Sequence, residues 1–315
     1  MIVDTDLAEG LLPTSADSDL AADTPAPSTT VADIVHELER IYPLSSAAEW
    51  DSVGLVCGDP STPVSKILFA IDPTQSVVEE AKEYGAQLLV THHPLFLRGV
   101  HSVASTTAKG RVVHELISAG CALYVAHTNA DAAAPGVSDA LARVIGLEDL
   151  TPLVVEPVEG ADQDGSLPAA TGIGRVGNLP TTVSLHELAL IVAGALPSTV
   201  QGVRAAGPEV GRVRRVAVCG GAGDSLFEAV RRSGADAYVT ADLRHHPALE
   251  AREDSDGTPW LVDVSHWASE WPWLAGCADR VMAALGSAQT TVEARVSTTR
   301  TDPWTMHVPS RGGQA

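Results

Sequence analysis

The sequence has few aromatic residues and few basic ones. Phe, Trp and Tyr make up only 4% of its 315 residues, so a core must be built mainly from Ala, Val, Leu and Ile. Lys and Arg number 20 against 40 Asp and Glu, a net charge of −20. Because a nucleic-acid-binding surface must neutralise phosphates, this balance argues against a general nucleic-acid-binding protein. It leaves open a local patch of arginines between positions 212 and 232.

The sequence also lacks closely spaced cysteines and long apolar runs. Its four cysteines stand apart, so no CxxC pair indicates a thiolate zinc site or a redox motif. No run approaches the roughly 20 apolar residues that a membrane-spanning helix needs. The acidic N-terminus is unlike a secretory signal, which begins with basic residues. Isolated cysteines are typical of a reducing compartment, and we expect a cytoplasmic protein.

Composition divides the chain into five segments. Residues 1–30 hold six carboxylates and no Lys or Arg, and they are expected to form a disordered acidic tail. Strands at 66–72, 86–90 and 121–127 alternate with helices, which predicts a first α/β lobe over 31–150. A Gly- and Pro-rich connector is expected over 151–183, a second α/β lobe over 184–305 and a C-terminal tail over 306–315. Both lobes are expected to have mainly parallel central sheets.

An internal repeat links the two predicted lobes. Residues 67–93 align without a gap with residues 216–242, and both segments read strand, turn, helix, Gly-Ala, strand, Thr. Further on, each half has a strand that ends in a histidine followed four residues later by a carboxylate. In open α/β sheets, ligands bind at the carboxyl ends of strands. The repeat therefore predicts two similar lobes around a shared cleft.

Histidines and carboxylates cluster at four predicted strand ends. The clusters are His92–His93, His127 with Asp131, Asp242 with His245–His246, and His266 with Glu270. Imidazole and carboxylate together suit divalent Zn, Mn, Fe, Co or Ni. Because adjacent side chains of a strand diverge, His92 and His93 would serve two neighbouring ions better than one. The pattern favours a dinuclear metal site in the cleft between the lobes.

Each cluster taken alone has a simpler interpretation. A His–His pair is more often a partly buried polar pair, and an HxxxE spacing on a helix is usually a solvated face. The segment GGAGDS (220–225) is equally compatible with a phosphate-holding turn and with an ordinary strand-to-helix connection. The metal interpretation is favoured because several clusters occupy equivalent strand ends in two related segments.

A series of motifs, in this order, resembles one known family. They are WDSVGLVCGD (50–59), VTHHPLF (90–96), HTNAD (127–131), GIGRVG (172–177), TADLRHH (240–246), DVSHWASE (263–270) and TDPW (301–304). The chain resembles the GTP cyclohydrolase 1 type 2 homologue family, also called NIF-three-like dinuclear-metal hexameric proteins. The resemblance runs from about residue 31 to residue 305.

This resemblance implies two divalent metal ions per chain and a toroidal homohexamer whose sites face the central cavity. The implied metal ligands are His92, His93, Asp131, His266 and Glu270. His127 and His246 match other family positions that face the cleft, and they are hypothesised to be catalytic. The sequence departs from the family pattern at Ala241 and Ser265, where Gly is common, and at His245, where an aromatic residue is common.

The leading functional hypothesis is a metal-dependent hydrolase. It would act on a nucleotide or another phosphorylated small molecule through a metal-activated water, with His127 or His246 moving the proton. The alternatives are a metal-binding or metal-delivery protein, a ring scaffold, and a protein-interaction hub. The same ligands would serve each of these, so the sequence leaves the substrate and the native metal open.

Overall fold

The structure is a computed structural model, and it describes residues 28–155, 171–254, 257–286 and 291–309. The predicted disordered tail therefore lies outside the described residues except for its last three. Of these, Thr30 already belongs to the fold, because its hydroxyl caps the first helix by accepting from the backbone N of Asp33. Residues 310–315 of the predicted C-terminal tail also lie outside the described part.

The first half of the chain alternates strands with helices, as its sequence predicts. In chain order the elements are α1 (Val31–Ile41), β1 (Gly54–Cys57), β2 (Lys66–Ala70), α2 (Gln75–Tyr84), β3 (Leu88–Thr91), α3 (Ala108–Ser118), β4 (Ala122–Val125), α4 (Thr128–Ala132) and α5 (Val137–Val144). The predicted strands at 66–72, 86–90 and 121–127 are confirmed to within two residues at every end.

The second half begins with two long strands and ends with a strand that returns to the first sheet. Its elements are β5 (Glu148–Val155), β6 (Gly172–Ser184), α6 (Leu185–Ala195), β7 (Arg204–Ala206), β8 (Arg212–Ala222), α7 (Phe227–Ser233), β9 (Ala237–Ala241), α8 (His245–Glu253), β10 (Trp260–Val264), α9 (His266–Glu270), α10 (Trp273–Leu285) and β11 (Glu293–Val296). None of the helices in the described part of the chain combines the length and the apolar composition that a bilayer-spanning helix requires.

Two sheets form the framework. The first has the order β1-β4-β3-β2-β11, and only its β1–β4 pair is antiparallel. The second has the order β5-β6-β8-β9-β10-β7, and only β8-β9-β10 run parallel. The expectation of mainly parallel sheets is thus correct for the first sheet and wrong for the second. Antiparallel neighbours extend the second sheet on both sides of its parallel centre.

The predicted connector contributes two strands to the second sheet. Most of β5 and nearly all of β6 fall within 151–183, and the two strands pair antiparallel. The glycines that indicated a connector permit this pairing instead. A Cβ at Gly177 would lie 2.6 Å from the carbonyl oxygen of Glu148, so a larger residue would push the strands apart. Residues 156–170 lie outside the described part of the chain.

The end of the predicted second lobe packs with the first sheet. Strand β11 pairs parallel with β2, and the buried Trp273 and Cys277 of α10 share one core with Ile34 and Leu38 of α1. Trp273 also donates its indole N–H to the hydroxyl of Tyr42 at 3.1 Å. The chain therefore crosses from the second sheet back to the first between β10 and β11, which ties the two halves together.

The repeated strand–helix–strand units share the same local design. Helix α2 ends at Gly85 and helix α7 at Gly234, both with left-handed backbone (φ 73° and 69°). The parallel strands β2, β3 and β4 are neighbours in the first sheet, as β8, β9 and β10 are in the second. That the two halves form an internal pseudo-repeat stays a prediction.

A buried ion pair joins β6 to α5. Arg175 is 2% exposed, and its guanidinium lies 2.7 Å from the carboxylate of Asp139. It also donates to the carbonyl oxygens of Gly172, Gly174 and Ala133 at 2.6–2.7 Å. The GIGRVG motif thus has a structural role, because removing one member would leave an uncompensated charge in the interior.

We expect Arg175→Met to lower the free energy of unfolding by about 3–5 kcal/mol, since Asp139 would remain buried without its partner. Urea denaturation of the full chain measures the change. Arg212→Met, at an exposed position of β8, is the control and should change stability by less than about 0.5 kcal/mol. Equal stability of the two variants would contradict a structural role for the buried pair.

Candidate metal centre

The ends of three parallel strands and the helices after them bring the predicted ligands together. Two histidines follow β3, one follows β4, and α9 begins directly after β10. Their imidazoles and two carboxylates form one cluster, which we call the histidine cluster. Its members are His92, His93, His127, Asp131, His266 and Glu270. All five predicted metal ligands and one of the two predicted catalytic histidines therefore meet at one place.

The expectation that His92 and His93 diverge is wrong, because both histidines follow the end of β3 at Thr91. Their ring centroids lie only 5.1 Å apart. Both rings approach Glu270, with His93 Nε2 3.1 Å from Oε2 and His92 Nε2 3.5 Å from Oε1. His92 is fully buried. The two rings thus present separate nitrogen atoms to the two oxygens of one carboxylate.

Hydrogen-bond acceptors hold both rings in place through Nδ1. The Nδ1 of His92 lies 2.9 Å from the carbonyl oxygen of Ala126, and that of His93 lies 2.7 Å from Asp72 Oδ1. Because a carbonyl or carboxylate oxygen only accepts, each Nδ1 carries a hydrogen. The remaining nitrogen, Nε2, then faces the histidine cluster, and it is the atom that can bind a cation once its proton is displaced.

The other two histidines are oriented in the same way. His127 Nδ1 lies 2.9 Å from Asp51 Oδ1, and His266 Nδ1 lies 2.7 Å from Asp242 Oδ2. Asp51 is itself fixed by the backbone N–H of Thr128 at 3.0 Å. Histidines that ligate metals characteristically donate their second nitrogen to a carboxylate or carbonyl in this manner. The arrangement therefore fits a metal-binding site.

Glu270 connects the histidines of the two sheets. Its Oε1 lies 3.0 Å from His266 Nε2, in addition to its approach to His92 and His93. His93 Nε2 and His266 Nε2 are only 3.2 Å apart. Asp131 Oδ1 stands 3.9 Å from His92 Nε2. A buried carboxylate between converging imidazole nitrogens is a donor set that suits a divalent cation.

Two buried polar atoms of this cluster have no hydrogen-bond partner among the described residues. They are His92 Nε2 and Glu270 Oε2. Burying a polar group without a partner is costly, and native proteins satisfy nearly all such atoms. Each makes a close contact within the cluster that does not have hydrogen-bond geometry: His92 Nε2 lies 3.5 Å from Glu270 Oε1, and Glu270 Oε2 lies 3.1 Å from His93 Nε2. A bound cation would satisfy both at once.

A glycine leaves room beside the ligands. Gly221, near the end of β8, has φ +72°, and a Cβ there would lie 2.5 Å from Glu270 Oε1 and 3.2 Å from His266 Nε2. Its backbone N–H donates to the hydroxyl of Ser269 at 2.8 Å. Any side chain at Gly221 would therefore enter the histidine cluster. The GGAGDS segment contributes to the site in this way.

The electrostatics of the cluster favour bound positive charge. Burial raises the pKa of Glu270, but His93, His92 and His266 outweigh it and hold the pKa well below its ordinary value. Burial lowers the pKa of His266, but Glu270 and Asp242 raise it to about 10. Without a metal, the cluster thus retains protons where a cation would otherwise sit.

A cleft of about 470 Å³ opens beside the histidine cluster. His127, Asp131, His266 and Glu270 line it, so four members of the cluster face solvent-accessible space. Further lining comes from apolar residues of β5 and β6 and from the turn after β8, namely Val154, Ile173 and Leu226. Mixed polar and apolar walls of this kind suit a small organic molecule.

The remaining predicted residues lie outside the histidine cluster. His246 is exposed in the first turn of α8, and its ring contacts that of His245. Asp242, expected to group with these two, instead orients His266. Sequence reasoning missed the orienting roles of Asp51 and Asp72. The position of Asp72 just after β2, at the same sheet edge as the ligands, was the available signal.

The fold and the site define a mixed α/β protein with a candidate metal centre between two sheets. A family model described as Duf34/NIF3 (NGG1p interacting factor 3) matches residues 29–303. The chain belongs to the Duf34/NIF3 family. The predicted resemblance is thereby confirmed over nearly the range expected from the sequence.

Named relatives match over most of their length. A Streptomyces coelicolor protein named GTP cyclohydrolase 1 type 2 homolog is 49% identical over 280 residues, which covers 89% of this chain and 95% of the relative. A Mycobacterium tuberculosis protein of the same name is 36% identical over 378 aligned positions, covering 89% and 97%. Because 378 positions exceed the 315 residues here, that relative carries residues with no counterpart in this chain.

Solved structures share the fold. A Staphylococcus aureus hypothetical protein matches with a TM-score of 0.79 and 27% identity, covering 89% of this chain and all of that one (100%). A Bacillus cereus protein related to NIF3 matches with a TM-score of 0.79 and 23% identity, covering 90% and 100%. These likenesses confirm a mixed α/β fold with two sheets.

We expect Gly221→Ala to reduce the metal content of the purified protein, because the new Cβ would occupy space beside Glu270 and His266. Elemental analysis measures the ions bound per chain. Gly234→Ala is the matched control, since Gly234 has a similar φ of +69° but open space around its Cβ position. If both variants lost the same amount of metal, backbone strain alone would explain the loss, and the expected steric effect of a side chain at Gly221 would be wrong.

The affinity of the site for Zn²⁺ should rise with pH up to about 10. In the metal-free protein the pKa of His266 is about 10, so a metal ion must displace its proton at lower pH. Each displaced proton makes the apparent affinity rise by about tenfold per pH unit. Calorimetric titration in buffers of different ionisation enthalpy counts the protons released. Zn²⁺ binding without proton release would contradict this expectation.

Proposed function

We propose that the chain is a dinuclear metal protein that hydrolyses a nucleotide or another phosphorylated small molecule through a metal-activated water. One observation supports this proposal most strongly. Four imidazoles are each fixed through Nδ1 beside an open cleft, and three of them, those of His92, His93 and His266, bring Nε2 to within 3.0–3.5 Å of the buried Glu270 carboxylate. This combination of oriented ligands and an accessible cavity is what metal-dependent hydrolysis requires.

Two overlapping groups of ligand atoms support two ions rather than one. One group contains His92, His93 and His127, and the other contains His93, His266 and Glu270. Within each group, one ligand atom per residue lies within 4.8 Å of the others. We propose the ligands inferred from the resemblance, with Asp131 completing the set and His127 as an additional candidate. Zn, Mn, Fe, Co and Ni all suit such a nitrogen and oxygen donor set.

A metal pair bound here would supply a water of lowered pKa and a centre that polarises the substrate. The chain's own residues would orient the imidazoles and accept or donate the proton. His127 lines the cleft, and with Nδ1 held by Asp51 it can exchange a proton there only through Nε2. Burial and the neighbouring His92 lower the pKa of His127, which favours its neutral form. We therefore propose that His127, and not the exposed His246, is the proton acceptor. This role applies if His127 does not itself bind a metal ion.

The nucleotide assignment rests on the cleft and on the relatives. The relatives in Streptomyces and Mycobacterium bear the name GTP cyclohydrolase 1 type 2 homolog, which makes a purine nucleotide the first substrate to examine. In this chain Ser225, within GGAGDS, lines the cleft together with the apolar Val154, Ile173 and Leu226. A polar turn beside apolar walls suits a molecule with both a phosphate and a planar aromatic ring.

Assembly and location form part of the same proposal. The family resemblance implies a homohexamer with its sites facing a central cavity, and we propose that assembly for this chain. A cytoplasmic location agrees with four free cysteines. A non-enzymatic protein that binds or delivers metal is the alternative, and it would use the same ligands. Turnover separates the two, because delivery requires only release of the ion to an acceptor.

We expect about two transition-metal ions per chain in protein purified without a chelating tag or column. The double variant His92→Ala/His93→Ala should lose this metal and keep its fold, because both histidines follow the end of β3. Elemental analysis and circular dichroism measure the two properties. The adjacent pair His245→Ala/His246→Ala is the matched control, since these exposed histidines lie outside the cluster. Full metal content in the first variant would overturn the site assignment.

The hydrolysis step is tested on the same samples, with GTP as the first compound of a phosphorylated set. The wild type should release product, the His92→Ala/His93→Ala variant should not, and the His245→Ala/His246→Ala variant should remain active. Metal-loaded wild type that turns over none of the compounds, yet transfers its ions to an acceptor, would favour the delivery alternative.

A further inference from the structure

After β11 the chain continues as a segment that passes close to both halves of the histidine cluster. We call residues 297–302 the strap. It starts where Ser297 donates its backbone N–H to the carbonyl oxygen of Phe69 at 2.7 Å. The carbonyl oxygen of Ser297 accepts from Trp271 Nε1 at 3.0 Å. At the other end, Asp302 is buried. The strap is therefore held at both ends.

Thr301 contacts the residue that orients His93. Its hydroxyl donates a hydrogen bond to Asp72 Oδ2, and the other oxygen of the same carboxylate, Oδ1, lies 2.7 Å from His93 Nδ1. A carboxylate held at both oxygens cannot rotate freely. Thr301 thus fixes the direction in which His93 presents Nε2.

Asp302 contacts the start of the helix that carries the other ligands. Its Oδ1 accepts from the hydroxyl of Ser265 at 2.6 Å, and both side chains are buried. Ser265 directly precedes α9, whose first and last residues are His266 and Glu270. Asp302 thus fixes where α9 begins relative to the strap.

We propose that Thr301 and Asp302 act as a clamp that holds the ligands of the two sheets at metal-binding distance. Thr301 acts through Asp72, which follows a strand of the first sheet. Asp302 acts through Ser265, which follows a strand of the second sheet. The nitrogens they position, His93 Nε2 and His266 Nε2, are 3.2 Å apart. This inference rests on the metal centre proposed above and assigns a role to chain positions outside the ligand set.

The strap contains its own control. Thr299 donates its hydroxyl to Glu80 Oε2 at 2.7 Å, and Ser297 donates to the same oxygen at 2.6 Å. Glu80 lies on α2 and is not a member of the histidine cluster. Thr299 and Thr301 are both threonines of the strap, and each donates its hydroxyl to a carboxylate. The carboxylate bonded by Thr301 orients His93, whereas the one bonded by Thr299 contacts no member of the cluster.

The first test compares threonine variants of the full chain by competition for Zn²⁺ with a chromophoric chelator. Removing groups that orient metal ligands typically weakens metal affinity about 10- to 100-fold, and Thr301→Val should fall in this range. Thr301→Ser keeps the hydroxyl and should bind as the wild type does. Thr299→Val should also bind as the wild type does. The Co²⁺ absorption spectrum should change in Thr301→Val alone, because only that variant removes a hydrogen bond from the carboxylate that orients His93.

The second test addresses the other half of the clamp. Asp302→Ala removes the acceptor for Ser265 and should weaken Zn²⁺ affinity, whereas Asp302→Asn keeps an acceptor oxygen and should restore it. Circular dichroism on each variant confirms that affinities are compared between folded proteins. If Asp302→Ala does not fold, the Thr301 series decides the proposal.

The outcomes separate the clamp from the metal centre. Two ions bound by the wild type, with weaker binding in Thr301→Val and unchanged binding in Thr299→Val, would support the clamp. Equal affinity of Thr301→Val and wild type would overturn the clamp and leave the metal centre intact. Equal weakening in Thr299→Val and Thr301→Val would also overturn it, since general loosening of the strap would then suffice. A wild type that binds no ion would overturn both proposals.

Discussion

The buried carboxylate of Glu270 is the interaction on which the site depends. It lies 3.0–3.5 Å from imidazole nitrogens that belong to both sheets. Burial of such a charge is tolerated only when opposite charges or a cation compensate for it. The carboxylate therefore requires the first sheet to supply His92 and His93 while α9 holds His266 one helical turn away. The position of one sheet relative to the other is therefore constrained by the need to surround this carboxylate with imidazoles.

The chain path enforces that placement. From the second sheet it crosses back through α10, whose Trp273 packs in the core of the first sheet, to β11 beside β2. The ion pair of Arg175 with Asp139 links β6 to α5. The cleft and the histidine cluster thus lie between units that are joined by backbone pairing, apolar packing and a buried charge pair. Such a framework can hold ligand atoms in fixed positions without the metal.

Residue patterns predicted which side chains meet more accurately than they predicted the architecture. The position of His92–His93 before Pro94, and the i,i+4 spacing of His266 and Glu270, indicated candidate ligands that the structure brings together. The Gly and Pro content of residues 151–183 predicted a connector, because these residues commonly mark loops. In β6 those glycines permit close strand pairing instead. Local composition does not distinguish these two uses, since only the neighbouring strand decides between them.

Residue identity and short-range spacing are sufficient to establish the family, the types of the candidate ligands and the strand ends at which they stand. Which candidates meet depended on the three-dimensional fold. It oriented His127 through Asp51 into the cluster, kept His246 exposed on α8, and placed Asp72 behind His93. It also brought β11 and the strap back to the first sheet. These outcomes depend on contacts between residues far apart in the chain, which no local pattern encodes.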